Sequence, residues 1–416
     1  MCSDAPTGGI LDFCSIYSFF VEVLDRVGFA DSMDWLAYTL AGFTLAAIVI
    51  NAMIMTTAVY TWFERRTIGR FQVRLGPNRW GPYGLLQPMA DLIKLMTKED
   101  TIPATADRPV FTATPVVMVA VVLVVVSVIP FGGNSFLGKL NVGILFVIGI
   151  TSVNTIAIFM GAWASRNKYA MFGAMRGVAM LVSYEVPMAL AITGVLLISG
   201  SLSLSTIVER QDVPFLLVTP LGFLVFLAAA SAEMSRSPFD QIEAESELGS
   251  GYNTEYSGIK FSLLFLAEFM APVVTGLLIA TLFLSGTRGF DPVPGQVWFV
   301  LKTFAVVFVM LWVRATWPRL RIDQIMGFAW KGLFALAIVN LFLVAVEVQL
   351  LMPDPGPSQN PETLKLSTNS LWLMAAINWV VTLISIVVMA NVMGQRRLER
   401  PTPVPSPLAN MNAEAD

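Results

Sequence analysis

Nine stretches of this 416-residue chain are long enough to span a membrane and carry at most one charged side chain each. Residues 35–63, 109–137, 140–165, 213–232 and 366–395 carry none. Residues 177–208, 261–287, 292–313 and 332–353 carry one each: Glu185, Glu268, Lys302 and Glu347. A helix crossing the hydrocarbon layer needs about 20 mainly apolar residues. Residues 131–141, with their Gly and Asn, separate the second and third runs into a hairpin. Composition agrees. Hydrophobic residues make up 56% and charged residues 13%, against roughly 25% charged in a soluble domain. The mean hydropathy of +0.70 is more than one soluble core of this length could hide. The expected fold class is an all-α integral membrane protein of about nine transmembrane helices.

Several chemistries are excluded at once. There is no histidine, which removes His-based acid–base catalysis and His ligation of metal or haem. Cys2 and Cys14 are the only cysteines, so a four-cysteine zinc or iron–sulfur site is impossible in this chain. A net charge of −3 without a basic stripe gives no sign of a nucleic-acid partner. Any redox centre must belong to a partner, and no metal site is expected here.

Charge in the connecting segments sets the orientation. Alternate loops contain 5 Lys and Arg in one class and 19 in the other. By the positive-inside rule this places the N-terminus outside and the C-terminus in the cytoplasm. The expected organisation is an extracytoplasmic segment over 1–34, a nine-helix domain over 35–395 and a disordered cytoplasmic tail over 396–416. The first segment is acidic and lacks the basic start of a cleavable signal. No internal repeat supports an inverted-repeat transporter.

The first cytoplasmic loop begins ERRTIGRFQVRLGPNRWGPYGLLQP. Arg65, Arg66, Arg70, Arg74 and Arg79 fall within fifteen residues, punctuated by two Gly–Pro pairs. Inside-positive topology with lipid-phosphate contacts is one reading. The Gly–Pro turns argue for a shaped segment, and Glu64 sits where it could pair with an arginine. Beyond it, Leu85, Met89, Leu92, Ile93 and Met96 recur at helical spacing opposite Asp91, Lys94 and Lys98. This predicts an amphipathic helix on the membrane face or beneath a partner.

The third cytoplasmic loop, SAEMSRSPFDQIEAESELGSGYNTEYSG, is acidic where cytoplasmic loops favour base. In a helical turn Glu243 and Glu247 would share a face, with Glu245 roughly opposite. Carboxylates so close repel, and at least one should hold its proton more tightly. A solvated acidic loop is the plain alternative. Within the spans, ionisable residues mark function by default. Glu185 lies in SYEVP, where Pro187 frees the carbonyl of Ser183. Lys302 could simply bridge to one of the intramembrane glutamates.

These loops, from ERRTIGRFQVRLGPNRWGPYGLLQPMADLIKLMTKED through SYEVP to SPFD, EAESEL, GYNTEYSG and KFSLLFLAE, resemble one family. It is the membrane subunit called H in bacterial proton-pumping NADH–quinone oxidoreductase, respiratory complex I, homologous to mitochondrial NADH dehydrogenase subunit 1. The resemblance is strong between residues 62 and 330. Gln241-Ile242 stands where the family commonly has Leu-Pro, and Gly249-Ser250 where it has Val-Ala.

The resemblance implies a chain that joins the redox arm to the membrane arm and lines the quinone-access chamber. Glu64, Arg65, Arg66 and Arg70 are then the expected quinone-binding residues. Glu185, Asp240, Glu243, Glu245, Glu247 and Glu268 are the expected proton pathway. It also implies a multi-pass protein of the bacterial inner membrane in contact with lipids. Quinone would be the substrate, with flavin and iron–sulfur clusters in partner subunits. Those partners would be the peripheral quinone-site and iron–sulfur subunits and the neighbouring small membrane subunits. Two other classes fit parts of the pattern: the homologous subunit of an energy-converting hydrogenase-type complex, and a stand-alone ion-coupled secondary transporter.

Overall fold

A computed structural model describes residues 13–27, 34–131, 140–243, 245–290, 292–351 and 366–398. Residues 399–416 of the expected tail and most of the expected N-terminal segment lie outside them, as do both cysteine side chains; residues 396–398, expected in the tail, continue α15. Helix α1 (Phe13–Val27) lies beside α2 (Asp34–Phe71), its Ile16, Tyr17 and Phe20 packing on Ala41 and Leu45. After α2 come α3 (Gln87–Thr97), α4 (Arg108–Val128), α5 (Gly143–Ala164) and α6 (Lys168–Ser199). Shorter pieces follow: α7 (Leu204–Arg210), α8 (Phe215–Val218), α9 (Pro220–Glu233) and α10 (Glu245–Leu248). The chain closes with α11 (Gly258–Phe283), α12 (Gly295–Thr316), α13 (Ile322–Gly327), a π-helical segment Phe328–Leu333, α14 (Phe334–Leu351) and α15 (Thr368–Leu398).

Among the described residues, eight helices are long and apolar enough to cross a membrane. The chain is an all-α membrane protein. The remaining expected span, residues 213–232, is divided into α8 and α9 at Thr219. Pro220 is the cause. It lacks the N–H that a continuous helix would use, and it drives the residue before it out of helical geometry. Thr219 accordingly takes φ −126° and ψ 68°.

Helix lengths decide which charges leave the hydrocarbon layer. At 1.5 Å per residue, the 38 residues of α2 span roughly 57 Å, nearly twice a hydrocarbon core of about 30 Å. The last turns of α2, with Glu64 to Arg70, therefore project beyond it. Helix α6 likewise begins at Lys168, so Arg176, expected in a loop, is helical. The expected amphipathic helix is α3. It turns Asp91 inward and leaves Met89, Leu92, Ile93 and Met96 exposed.

The core gathers α4, α5, α6, α9 and α11 around one contiguous set of buried apolar side chains. The acidic loop is seated on this core by close backbone approach. A Cβ on Gly251, whose φ is +57°, would lie 1.8 Å from the carbonyl oxygen of Ile242. On α6, a Cβ at Gly177 would come within 2.7 Å of the Ile242 side chain.

Candidate functional site

Three adjoining zones lie where α2, α11 and α12 emerge. The first is an apolar groove of about 320 Å³ between α2, α3 and α11, with Ala58, Leu92, Phe261 and Phe265 among its walls. At its polar end Arg65 Nη1 donates to Asp91 Oδ2 at 2.5 Å. Partial burial pushes the Asp91 carboxyl up. The hydrogen bond and charge of Arg65, with Gln87 and Lys94, outweigh this and hold it below the usual carboxylate range.

Arg66 is fixed differently. Its guanidinium lies 5.5 Å from the Trp62 ring centre and 5.0 Å from that of Tyr83, and donates to the Tyr83 carbonyl at 3.2 Å. Trp62 Nε1 donates to the same oxygen at 3.0 Å. The Gly–Pro turns make this possible, since a Cβ at Gly84 would meet the Pro77 oxygen at 2.4 Å. Arg70 is exposed at the end of α2.

The second zone is a buried charge cluster. Glu64, 2% exposed, accepts from Arg314 of α12, and from Arg236 Nη1 at 3.5 Å. Arg236 Nη2 lies 3.2 Å from Glu268 Oε1, and its guanidinium carbon sits 4.3 Å from the Phe269 ring centre. Two carboxylates from α2 and α11 thus face two guanidiniums from the acidic loop and α12, the balance that a low-dielectric site requires. Arg236 and Arg314 also line a cavity of about 290 Å³ with Tyr60, Phe239 and Trp317. Glu64 Oε2 and Arg236 Nε are buried with no hydrogen-bond partner among the described residues. Tyr60 lines this cavity and Phe269 lines the groove, and their rings meet at 6.2 Å.

The third zone is a small polar cavity of about 50 Å³ lined by Glu233, Glu243, Glu268, Asn154 and Tyr252. That is room for a few water molecules. Glu243 accepts from Asn253 Nδ2. Burial pushes its carboxyl up to about 8, with the charges of Glu268 and Asp240 adding and those of Arg236 and the Asn253 bond opposing. Burial, then Glu243 and Glu268, also raise the Tyr252 hydroxyl well above its ordinary value. Asn154 Oδ1 is buried without a partner among the described residues. The next residue on α5, Thr155, donates to Glu185 Oε1 at 3.4 Å.

The structure therefore brings Glu64, Glu268, Asp240 and Glu243 together, and connects Glu185 to the same cavity wall through α5. Glu247 goes elsewhere. Helix α10 begins only at Glu245, so Glu243 and Glu247 do not share a helical face as the spacing suggested. Glu247 is exposed and accepts from Arg176, whose hydrogen bond and charge hold its carboxyl below the usual range. The Glu245 side chain lies outside the described residues.

The alternative of a bridge from Lys302 to an intramembrane glutamate is not seen among the described residues. Lys302 Nζ donates to the carbonyls of Leu284, Gly286 and Arg288 at 2.6, 3.0 and 2.5 Å. These oxygens lie just past the end of α11, where carbonyls lack helical partners. Glu347 accepts from Asn378 instead. The first departure from the family pattern is accommodated: Gln241 is buried and donates to the Leu320 carbonyl, and Ile242 fills the slot over Gly177.

Sequence reasoning missed Tyr60, Asp91, Asn154, Glu233, Arg236 and Arg314. The two arginines were counted only as topology markers. Glu233 follows directly on an uncharged run, which is where a buried carboxylate at a span end would be sought.

Comparison with known proteins agrees with this arrangement. The sequence profile described as NADH dehydrogenase matches residues 44–345. A Dehalococcoides mccartyi protein, named as the H subunit of NADH-quinone oxidoreductase, is 49% identical over 308 residues, covering 74% of this chain and 86% of its own. The like-named protein of Brevibacillus brevis is 43% identical over 312 residues, covering 74% and 93%. Another of the same name, from Syntrophobacter fumaroxidans, is 42% identical over 326 residues, covering 76% and 98%. With the helices, the buried charge cluster and the matched length in agreement, the chain belongs to the NADH dehydrogenase family.

Proposed function

We propose that this chain is the membrane subunit of an NADH–quinone oxidoreductase that admits quinone from the bilayer and links its reduction to proton movement. It works as one subunit of a multi-subunit enzyme. Flavin and iron–sulfur clusters reside in partners, which include the peripheral quinone-site subunit, and the protein sits in the bacterial inner membrane. The Arg loop and the acidic loop face the cytoplasm, as the 5-to-19 split of positive charge supports.

One observation carries the reading: an apolar groove between α2, α3 and α11 adjoins a cavity whose buried arginine retains an unpartnered donor. A quinone has this division of chemistry, an apolar tail and a head with two carbonyl acceptors. The tail occupies the groove, and Arg65 and Asp91 mark its polar end. The head passes Tyr60 and Phe269 towards Arg236 and Arg314 before reduction in the partner. Reduction of a quinone to quinol takes two electrons and two protons, so charge must move in this region at each turnover.

The carboxylates respond to that charge. Glu243, with its carboxyl at about 8, carries a proton at neutral pH. A change in its surroundings equivalent to one pKa unit is about 1.4 kcal/mol, enough to release or recapture it. Water held in the polar cavity, oriented by Asn154 Oδ1, and the Thr155 hydroxyl then offer a route from Glu243 and Glu233 to Glu185.

Filling the groove tests the reading. Ala58→Trp in the assembled complex should raise the KM for a long-tailed quinone by about tenfold, equivalent to about 1.4 kcal/mol of lost tail binding. A tail-less quinone should be affected less, and NADH oxidation by a hydrophilic acceptor should be unchanged. Equal loss with every acceptor would refute quinone access through this groove.

A further inference from the structure

The seam between α14 and α15 holds a carboxyl group that the pathway above does not use. Glu347 is 5% exposed and Asn378 is 1% exposed. Asn378 Nδ2 donates to Glu347 Oε2 at 2.8 Å. The two remaining polar atoms of this pair, Glu347 Oε1 and Asn378 Oδ1, are both buried and have no partner among the described residues.

An ionised Glu347 would leave two acceptors and a full charge uncompensated inside a membrane span, where each is expensive. The ion pairs among the described residues involve other carboxylates. The elements packed against α14 and α15 offer little help. Helix α8 and residues 368–391 of α15 contain no titratable side chain. Helix α9 has only Glu233, which faces the polar cavity. Helix α6 has Lys168, Tyr169, Arg176, Tyr184 and Glu185. Of these, Arg176 bonds Glu247, Tyr184 donates to the Ile325 carbonyl and Glu185 accepts from Thr155. Lys331 of the π-helical segment is exposed.

A single proton resolves every orphan at once. Placed on Oε1, it lets the acid donate to Asn378 Oδ1 while the amide donates to Oε2, closing a ring of two hydrogen bonds with no atom unsatisfied. We infer that Glu347 and Asn378 form an intramembrane proton-binding site in which Glu347 is held as the carboxylic acid. The site stores its proton and does not relay it, because an amide accepts the hydrogen bond without becoming protonated. It ties α15 to α14 with no counter-ion.

Infrared spectroscopy of the purified complex tests this. Subtracting the Glu347→Gln spectrum from the wild type should reveal one protonated-carboxyl C=O band, present in sodium-containing and sodium-free buffer alike and persisting into alkaline pH. Gln preserves both hydrogen bonds, so this variant should assemble and pump protons like the wild type. In Asn378→Leu the band should move to higher frequency, as the acid loses its partners. A carboxylate band in place of the protonated one would overturn the inference, as would a band that sodium abolishes. A band unmoved in Asn378→Leu would refute the pairing. If that variant does not assemble, the wild-type band and its pH dependence decide alone.

Discussion

The Arg loop and the acidic loop are opposite in sign, and they dispose of their charge in opposite ways. The Arg loop folds on itself. Arg66 stacks on Trp62 and Tyr83, Arg65 pairs with Asp91, and Arg70 stays exposed. The acidic loop folds inward: Glu243 rests on Asn253 of the same loop, and Arg236 rests on groups from elsewhere, Glu64 of α2 and Glu268 of α11. The lesson is that the density of charge in a segment does not locate the site. The loop with more charge keeps much of it near solvent, and the isolated arginine of the acidic loop sits at the centre of the buried cluster.

Arg236 should therefore give the largest effect. Arg236→Met strands Glu64 and Glu268 beside a single guanidinium, and breaking such a buried pair costs roughly 3–5 kcal/mol. Native gels should show little assembled complex. The double variant Arg236→Met with Glu268→Gln should recover part of it, and no recovery would dissolve the proposed pairing.

Next in size is Gly251→Ala. The residue combines positive φ, which alone costs a non-glycine residue about 1–3 kcal/mol, with a Cβ position that overlaps the Ile242 carbonyl. Proton pumping, read with a pH-sensitive dye in sealed vesicles, should fall together with quinone-linked NADH oxidation. Wild-type pumping here would mean that the seating of the acidic loop does not matter.

Glu243 and Glu247 sharpen the contrast within one loop. Glu243→Gln and Glu185→Gln should lower pumping and quinone-linked oxidation together in complexes that assemble. Glu247→Gln, at an exposed group paired with Arg176, should leave pumping near wild type. Equal loss at 243 and 247 would break the division into buried and solvated carboxylates. Glu243 also predicts a pH effect. Its folded value lies above the ordinary one, so the folded protein binds the proton more tightly. Its contribution to stability is complete below about 4.5 and declines as pH rises to about 8. Thermal scans of Glu243→Gln should show a shallower decline across that window.

The smallest expected effect is Arg66→Ala. Losing a partly exposed cation–π contact costs about 1 kcal/mol, so the KM for quinone should rise only a few-fold while hydrophilic acceptors are unaffected. A loss as large as that of Arg236→Met would place Arg66 inside the site instead of at its rim.

The spans were legible because a bilayer forces long uncharged runs, and the amphipathic helix was legible because its period survives in eleven residues. The break at Thr219 was not, although Pro220 lies within an uncharged run. Proline is tolerated inside α4, α6 and α11 at Pro115, Pro187 and Pro272, so its presence alone does not mark where a helix divides. At the site, Glu64 could be suspected of an arginine partner, but its partners lie 172 and 250 residues away. Such pairing is decided by how spans pack, which local periodicity does not record. Glu243 and Glu247 were separated by where α10 begins, and element boundaries are the least readable feature of a sequence.

Lys302 has a consequence of its own. Three carbonyl oxygens just past the end of α11 coordinate its ammonium much as carbonyls in a channel coordinate a passing cation. Here the cation is covalently tethered, so its effective concentration is fixed by a side chain a few bonds long. Dissolved sodium or potassium competes poorly for such a position, and dilution does not empty it. The far end of α11 thus keeps the same occupant whatever ions lie on that side of the membrane. The helix that carries Glu268 is anchored against changes in the salt around it.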